Sequence, residues 1–160
     1  MNLRAVYDCM IFLQAASNPQ RVHSTFRLIE SGNVALYISA EVLAEVRDVL
    51  TRPSHKKKFP ALTDEHVSEF LAAIAARSTL VDNVREVYTV VRDPKDSKYV
   101  NLAIAAGAEL VVSWDRHLLG PMDETTHEGA DFRRRFPTIQ ILDPVRFIGF
   151  IAKPPATGIT

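Results

Sequence analysis

The stretch Arg92–Leu119, RDPKDSKYVNLAIAAGAELVVSWDRHLL, decides the fold. It opens on an acid pair around a proline, Asp93-Pro94-Lys95-Asp96, and runs into the small-residue segment Ser97–Ala106. Gly107 interrupts that segment, and the apolar run Leu110–Trp114 follows, ending at Asp115. Apolar residues at helical spacing closed by a glycine predict a helix over Ser97–Ala106. A short apolar run bounded by turn signals predicts a buried strand over Leu110–Trp114. An acid thus stands where the helix starts, and another where the strand stops.

Similar units lie on both sides. Leu3–Tyr7 is a short apolar run ending at Asp8, and Val34–Ile38, Thr79–Val81 and Ile139–Leu142 read as further strands. Helices are expected over Cys9–Ala16, Gln20–Ser31, with Val22, Phe26 and Ile29 on one side, and Ala40–Leu50 behind the N-cap Ser39. Others are expected from Thr63 to Arg77, over Glu128–Phe136 and from Asp143-Pro144 through Ile151. Gly32-Asn33 is a C-cap signal, Arg52-Pro53 a stop, and Asp82–Arg92 carries no regular pattern. Strands alternating with helices predict a parallel sheet covered on both faces. Residues 1–152 are expected to form one domain, and 153–160, with two prolines, a loose tail.

The 160 residues carry 19 basic and 19 acidic side chains, a formal net charge of zero that argues against tight nonspecific binding to duplex nucleic acid. An acidic cleft with basic residues at its rim satisfies the same balance. The single cysteine, Cys9, makes neither an internal disulfide nor a zinc site alone. The N-terminus is charged by Arg4 and lacks the apolar core of a signal peptide, and no apolar run approaches membrane-spanning length, so cytoplasmic residence is expected.

In open parallel sheets, sites form outside the carboxyl ends of the strands, which is where Asp8 and Asp115 fall. Asp8, beside Cys9, Met10, Ile11 and Phe12, needs a cation or the N-cap of the following helix to offset burial. Glu45 borders the apolar arc Val42, Val46, Val49 and Leu50 and reaches over a sheet end, unless it serves an ion pair there. Asp96 and Asp93 are candidates either for N-capping or for facing a metal or substrate, with Lys95 or Lys98 as counter-ions. Asp115 starts a turn or binds, and Ser113 shares its strand face. Four acids from four elements suit a hard cation, magnesium or manganese, able to activate water against a phosphate. Lys56, Lys57 and Lys58, and the run Arg133, Arg134 and Arg135, are possible guides for a phosphate backbone or plain solvated charge. His117 and His127 lack metal-ligand spacing, and Trp114 is a core residue or a base-stacking platform.

With these acids in place, the stretches VYDCMIFLQA, ISAEVLAEVRDVL and RDPKDSKYVNLAIAAGAELVVSWDRHLL make the chain resemble the PIN domain family of metal-dependent ribonucleases. The resemblance covers roughly Met1–Phe150 and is closest to stand-alone bacterial members near the VapC-type toxins of toxin–antitoxin pairs. It implies a three-layer α/β/α sandwich around about five parallel strands. It implies Asp8, Glu45, Asp96 and Asp115 as catalytic ligands of Mg2+ or Mn2+, with Ser113 and Asp93 supporting them. RNA is the implied substrate, an antitoxin a partner, and a homodimer through the apolar terminal helix an expectation. Met10 stands where the family often has asparagine, and Trp114 where a smaller residue is frequent. These departures motivate a second reading, a PIN-fold module that binds RNA or protein without cutting. A dehalogenase-like phosphatase wants an acid at Met10, and a dinucleotide enzyme wants a glycine-rich turn after the first strand; the chain has neither.

Overall fold

The structure is a computed structural model that describes residues 2–21 and 23–153. Strands and helices alternate in the order β1 (Leu3–Tyr7), α1 (Cys9–Ser17), α2 (Ser24–Glu30), β2 (Val34–Ile38), α3 (Ala40–Thr51), α4 (Pro53–Lys58), α5 (Asp64–Arg77) and β3 (Ser78–Leu80). After an irregular segment come α6 (Ser97–Ala106), β4 (Leu110–Val112), α7 (Arg116–Leu119), α8 (His127–Arg135), β5 (Gln140–Leu142) and α9 (Pro144–Ala152). The sheet is all parallel in the order β3-β2-β1-β4-β5, with Leu3 opposite Val34, Ala5 opposite Leu110 and Val112 opposite Leu142.

Helices cover both faces. On one, the Arg4 guanidinium reaches across from β1 to the Ala106 carbonyl at the end of α6, 2.9 Å away. On the other, Tyr7 meets Phe26 of α2 and Phe147 of α9 edge to face, and its hydroxyl donates to Thr25 O at 2.6 Å. Residues of β1 and β4 from Ala5 to Tyr7 and Leu110 to Val112 are buried on both sides, as a doubly covered parallel sheet requires. The apolar arc of α3, Val42, Val46, Val49 and Leu50, is buried, while Glu41 and Asp48 face solvent. Ser39 and Thr63 cap α3 and α5 by accepting from Val42 N and His66 N, each such cap contributing about 1 kcal/mol. Gly107 closes α6 in the left-handed region, φ 62°, where a side chain would be strained.

Several expected boundaries move. The helix expected from Gln20 starts at Ser24, because His23 is extended and breaks the chain after Pro19; Val22 lies outside the described residues. The strand expected to reach Trp114 ends at Val112, where the chain leaves the sheet to turn the Ser113 hydroxyl toward Asp8. Arg52-Pro53 does end α3, but Pro53 also opens α4, its missing N–H costing nothing in a first turn. Asp82–Arg92 has no strand or helix because Asn101 supplies its partners. The Asn101 amide oxygen accepts from Val87 N and Tyr88 N at 2.9 and 2.8 Å, and its nitrogen donates to Tyr88 O at 2.9 Å. Ser97 Oγ accepts from Val90 N at 2.8 Å, completing the anchor. The tail expected to be loose falls, from residue 154, outside the described residues.

Candidate functional site

The strand order sets the site. From β1 the chain crosses outward to β2 and β3, then returns over α6 to β4 on the other side of β1. The crevice beyond the ends of β1 and β4 is therefore the switch point of the sheet, where ligands enter open α/β folds. Asp8 leaves β1 there, its N–H donating to Val112 O at 3.1 Å, and Ser113 leaves β4 with its N–H on Leu142 O at 3.0 Å.

Asp8 does two jobs at once. Its Oδ1 caps α1, accepting from Met10 N and Ile11 N at 3.1 Å each, and its Oδ2 accepts from the Ser113 hydroxyl. Ser113 Oγ in turn accepts from Asp115 N at 2.9 Å, so one hydroxyl links the ends of two strands. Asp8 is 3 % exposed, and burial pushes its carboxyl up to about 6 against the lowering pull of Ser113 and the two amides, with Asp115 nearby raising it further.

Asp96 caps nothing. It holds the N-cap position of α6, but its side chain bonds no backbone amide there, and neither does that of Asp93 before the Pro94–Asp96 turn. Its carboxyl meets that of Asp115 instead. Burial, that hydrogen bond and the charges of Asp93, Asp115 and Asp8 push Asp96 up to about 8. Asp115 feels burial too, but the hydrogen bond from Asp96, the His117 N–H at 2.8 Å and the His117 ring carry it below the usual carboxylate range. The two carboxyls thus move in opposite directions, Asp96 up and Asp115 down, and titrate as a pair. Asp8 and Asp96 thus each feel the charge of Asp115, a mutual repulsion that a cation offsets.

Asp93 sits closer than a supporting role implies. Atoms of Asp93, Asp115 and His117 that could ligate a metal lie within 4.8 Å of one another. His117 was not singled out by spacing, because it is the first turn of α7, capped by Asp115, that brings it alongside. An acid followed two residues later by histidine at a strand end was the available signal. Glu45 is held apart from the three acids. Its Oε2 pairs with Lys98, and its Oε1 accepts from Cys9 Sγ at 3.5 Å. Cys9, whose thiol burial pushes up to about 12, feels the charges of both Glu45 and Asp8 and stands between them. The Cys9 N–H donates to Tyr99 Oη at 3.1 Å, pinning α1 to α6 beneath the cleft.

The basic residues divide. Lys56 pairs with Asp64, Arg133 with Glu124 and Arg134 with Asp131, while Arg135 lies over the Tyr88 and Phe136 rings. Lys57 and Lys58 are exposed and, among the described residues, pair with no carboxylate. Trp114 is 47 % exposed and Met10 46 % exposed, so neither belongs to the core.

No helix among the described residues is long and apolar enough to cross a membrane. No curated protein matches the chain. The profile of the PIN domain, a nuclease family whose members generally act on RNA and usually use divalent metal ions, matches residues 4–117. That span holds β1 to β4 and every carboxylate of the crevice, and with the five-stranded parallel sheet between its helix layers the chain belongs to the PIN domain family.

Proposed function

We propose that the protein is a divalent-metal-dependent endoribonuclease acting in the cytoplasm. One observation supports this reading: at the sheet's switch point the carboxyls of Asp8 and Asp96 are raised by burial and by the charge of Asp115, an acidic grouping that a cation would relieve. Asp8, Asp96 and Asp115 offer carboxylate oxygens, the chemistry of Mg2+ or Mn2+, with the His117 imidazole at the edge beside Asp115. An ion bound there supplies water activation and offsets the charge that builds on a phosphodiester under attack. Asp8, Asp96 and Asp115 would hold it, and Glu45, paired with Lys98, would be the fourth carboxylate. Ser113 orients Asp8, and Asp93 lies beside Asp115 as a further oxygen donor. Lys57 and Lys58 guide the RNA backbone, with Lys56, Arg133 and Arg134 weaker contributors because each already has a carboxylate partner.

Met10 does not disable this arrangement, since its side chain is on the surface and the carboxylates cluster without it. If the chain is the toxin of a toxin–antitoxin pair, its partner covers the cleft with a basic side chain directed at the acids. Val145 and Ile148, exposed on α9, offer an apolar face to a second copy. Single-stranded RNA incubated with the purified protein and Mn2+ is expected to be cleaved, and both Asp8→Asn and Asp115→Asn to abolish cleavage. Cleavage that persists in both variants, or RNA binding without metal binding, would overturn the assignment.

A further inference from the structure

A groove of about 560 Å³ runs from Asp115 along the outer face of α1. Met10 and Gln14 line it from α1, Asn18 from just beyond that helix, Trp114 from the turn after β4, and Phe59 from the turn after α4. Residues four apart on a helix share a face, so the α1 side is a continuous strip. The Trp114 indole is held rather than free: its Nε1–H donates to Gln14 Oε1 at 3.4 Å while the ring remains exposed. Beyond Phe59 lies the basic run of α4, with Lys57 and Lys58 exposed and the Lys58 ammonium 5.3 Å from the Phe59 ring centre.

We propose that this groove is a nucleobase subsite, in which Trp114 stacks on a base next to the scissile phosphate of a single-stranded RNA. The inference rests on the nuclease reading for its substrate, and it assigns a specificity role to Trp114. Four features select a nucleotide over an apolar peptide. Asp115 belongs both to the acid cluster and to the groove, so a phosphate held at the acids places its neighbouring base over the indole. Exposed lysines at the far end complement the next phosphates. Beside Asp115, the polar lining is Gln14, Ser17 and Asn18, side chains that offer base edges both donors and acceptors. An aromatic face accepts any base, and stacking strength then ranks purines above pyrimidines. A duplex offers no free base face, so the subsite selects unpaired RNA. Trp114 is a positioning residue: it touches a base, not the reacting atoms.

The chain contains one tryptophan, so indole fluorescence reports on this position alone. The full-length wild-type protein with Mn2+ is titrated with cleavage-resistant phosphorothioate oligoadenylate, oligouridylate and an abasic chain of equal length. Base-bearing strands are expected to quench the indole, adenine more than uracil, and the abasic strand to leave it unchanged. In cleavage assays Trp114→Ala and Trp114→Leu are expected to raise KM by roughly five- to a hundredfold, the range of one base stack, with a smaller change in kcat. Trp114→Tyr restores KM, which a purely structural role would not require. Equal quenching by the abasic strand, or a KM as well served by leucine as by tyrosine, overturns the proposal. Quenching by an apolar peptide but by no oligonucleotide assigns the groove to a protein instead. Absence of cleavage by the wild-type protein refutes the nuclease reading, whereas cleavage with a silent indole refutes only the subsite.

Discussion

Asp8 and Asp115 follow neighbouring parallel strands and each caps a helix, yet Asp8 is 3 % exposed and the Asp115 side chain 36 % exposed. The inner acid is fixed by three donors, Ser113 and two backbone amides, and has no freedom to reposition. The outer acid touches Asp96, His117 and the groove beneath Trp114, groups that solvent or substrate can reach. The same strand-end placement therefore gives one carboxylate that fixes geometry and one that joins the chemistry to what it selects.

If that division is right, substitutions of the acids cost far more than those at the exposed edge beyond them. Asp8→Asn keeps its cap, because an amide oxygen accepts the same N–H groups, but loses the charge the metal needs. RNA cleavage is expected to fall about a thousandfold, the scale of several kcal/mol of charge stabilisation. His117→Ala, at the exposed edge, is expected to cost tenfold or less in the same assay. Equal losses would erase the distinction. Ser113→Ala comes next: it removes the donor that orients Asp8, and Mn2+ affinity by calorimetry is expected to drop about 10- to 100-fold. Ser113→Thr, which keeps the hydroxyl, should recover most of it.

The pH dependence of stability sharpens the comparison further. Burial pushes the Asp8 carboxyl up to about 6, and burial with the neighbouring acids pushes that of Asp96 up to about 8, above the 3.8 of an unperturbed aspartate. The folded chain thus binds more protons than the unfolded chain in that window, and its stability falls as pH rises through it. Without metal, Tm is expected to decline as pH climbs from about 4 through 8. Mn2+ should raise Tm more at the alkaline end, and Asp8→Asn should flatten the first half of the decline. The smallest effect is expected from Lys57→Ala with Lys58→Ala, a few-fold rise in KM at low salt that vanishes as salt screens the lysines.

Much of this was legible in the sequence. Apolar runs bounded by Gly107, Ser39 and Pro53 fixed the alternation, and Asp8 and Asp115 could be placed at strand ends because each closed such a run. Their chemistry was harder. Capping by Asp8 and metal binding by Asp8 looked like alternatives, and the structure assigns the cap to one oxygen and leaves the other facing Ser113. The Asp96–Asp115 contact joins residues from separate elements, so no local spacing announces it. The Lys98 partner of Glu45 lies 53 residues away and is equally silent in the sequence. Asp82–Arg92 gave no pattern because its order comes from Asn101, a buried polar residue in a helix otherwise small and apolar. Trp114 was ambiguous because a bulky apolar residue next to a strand end reads as core until its exposure is known.

The most direct test of the central claim is anomalous diffraction from crystals soaked in Mn2+. A peak within bonding distance of Asp8, Asp96 and Asp115 is the predicted result, with Glu45 turned from Lys98 toward it once an RNA analogue is bound. A peak confined to Asp93, Asp115 and His117 with Asp8 unliganded, or no peak in the crevice at saturating metal, would contradict the account.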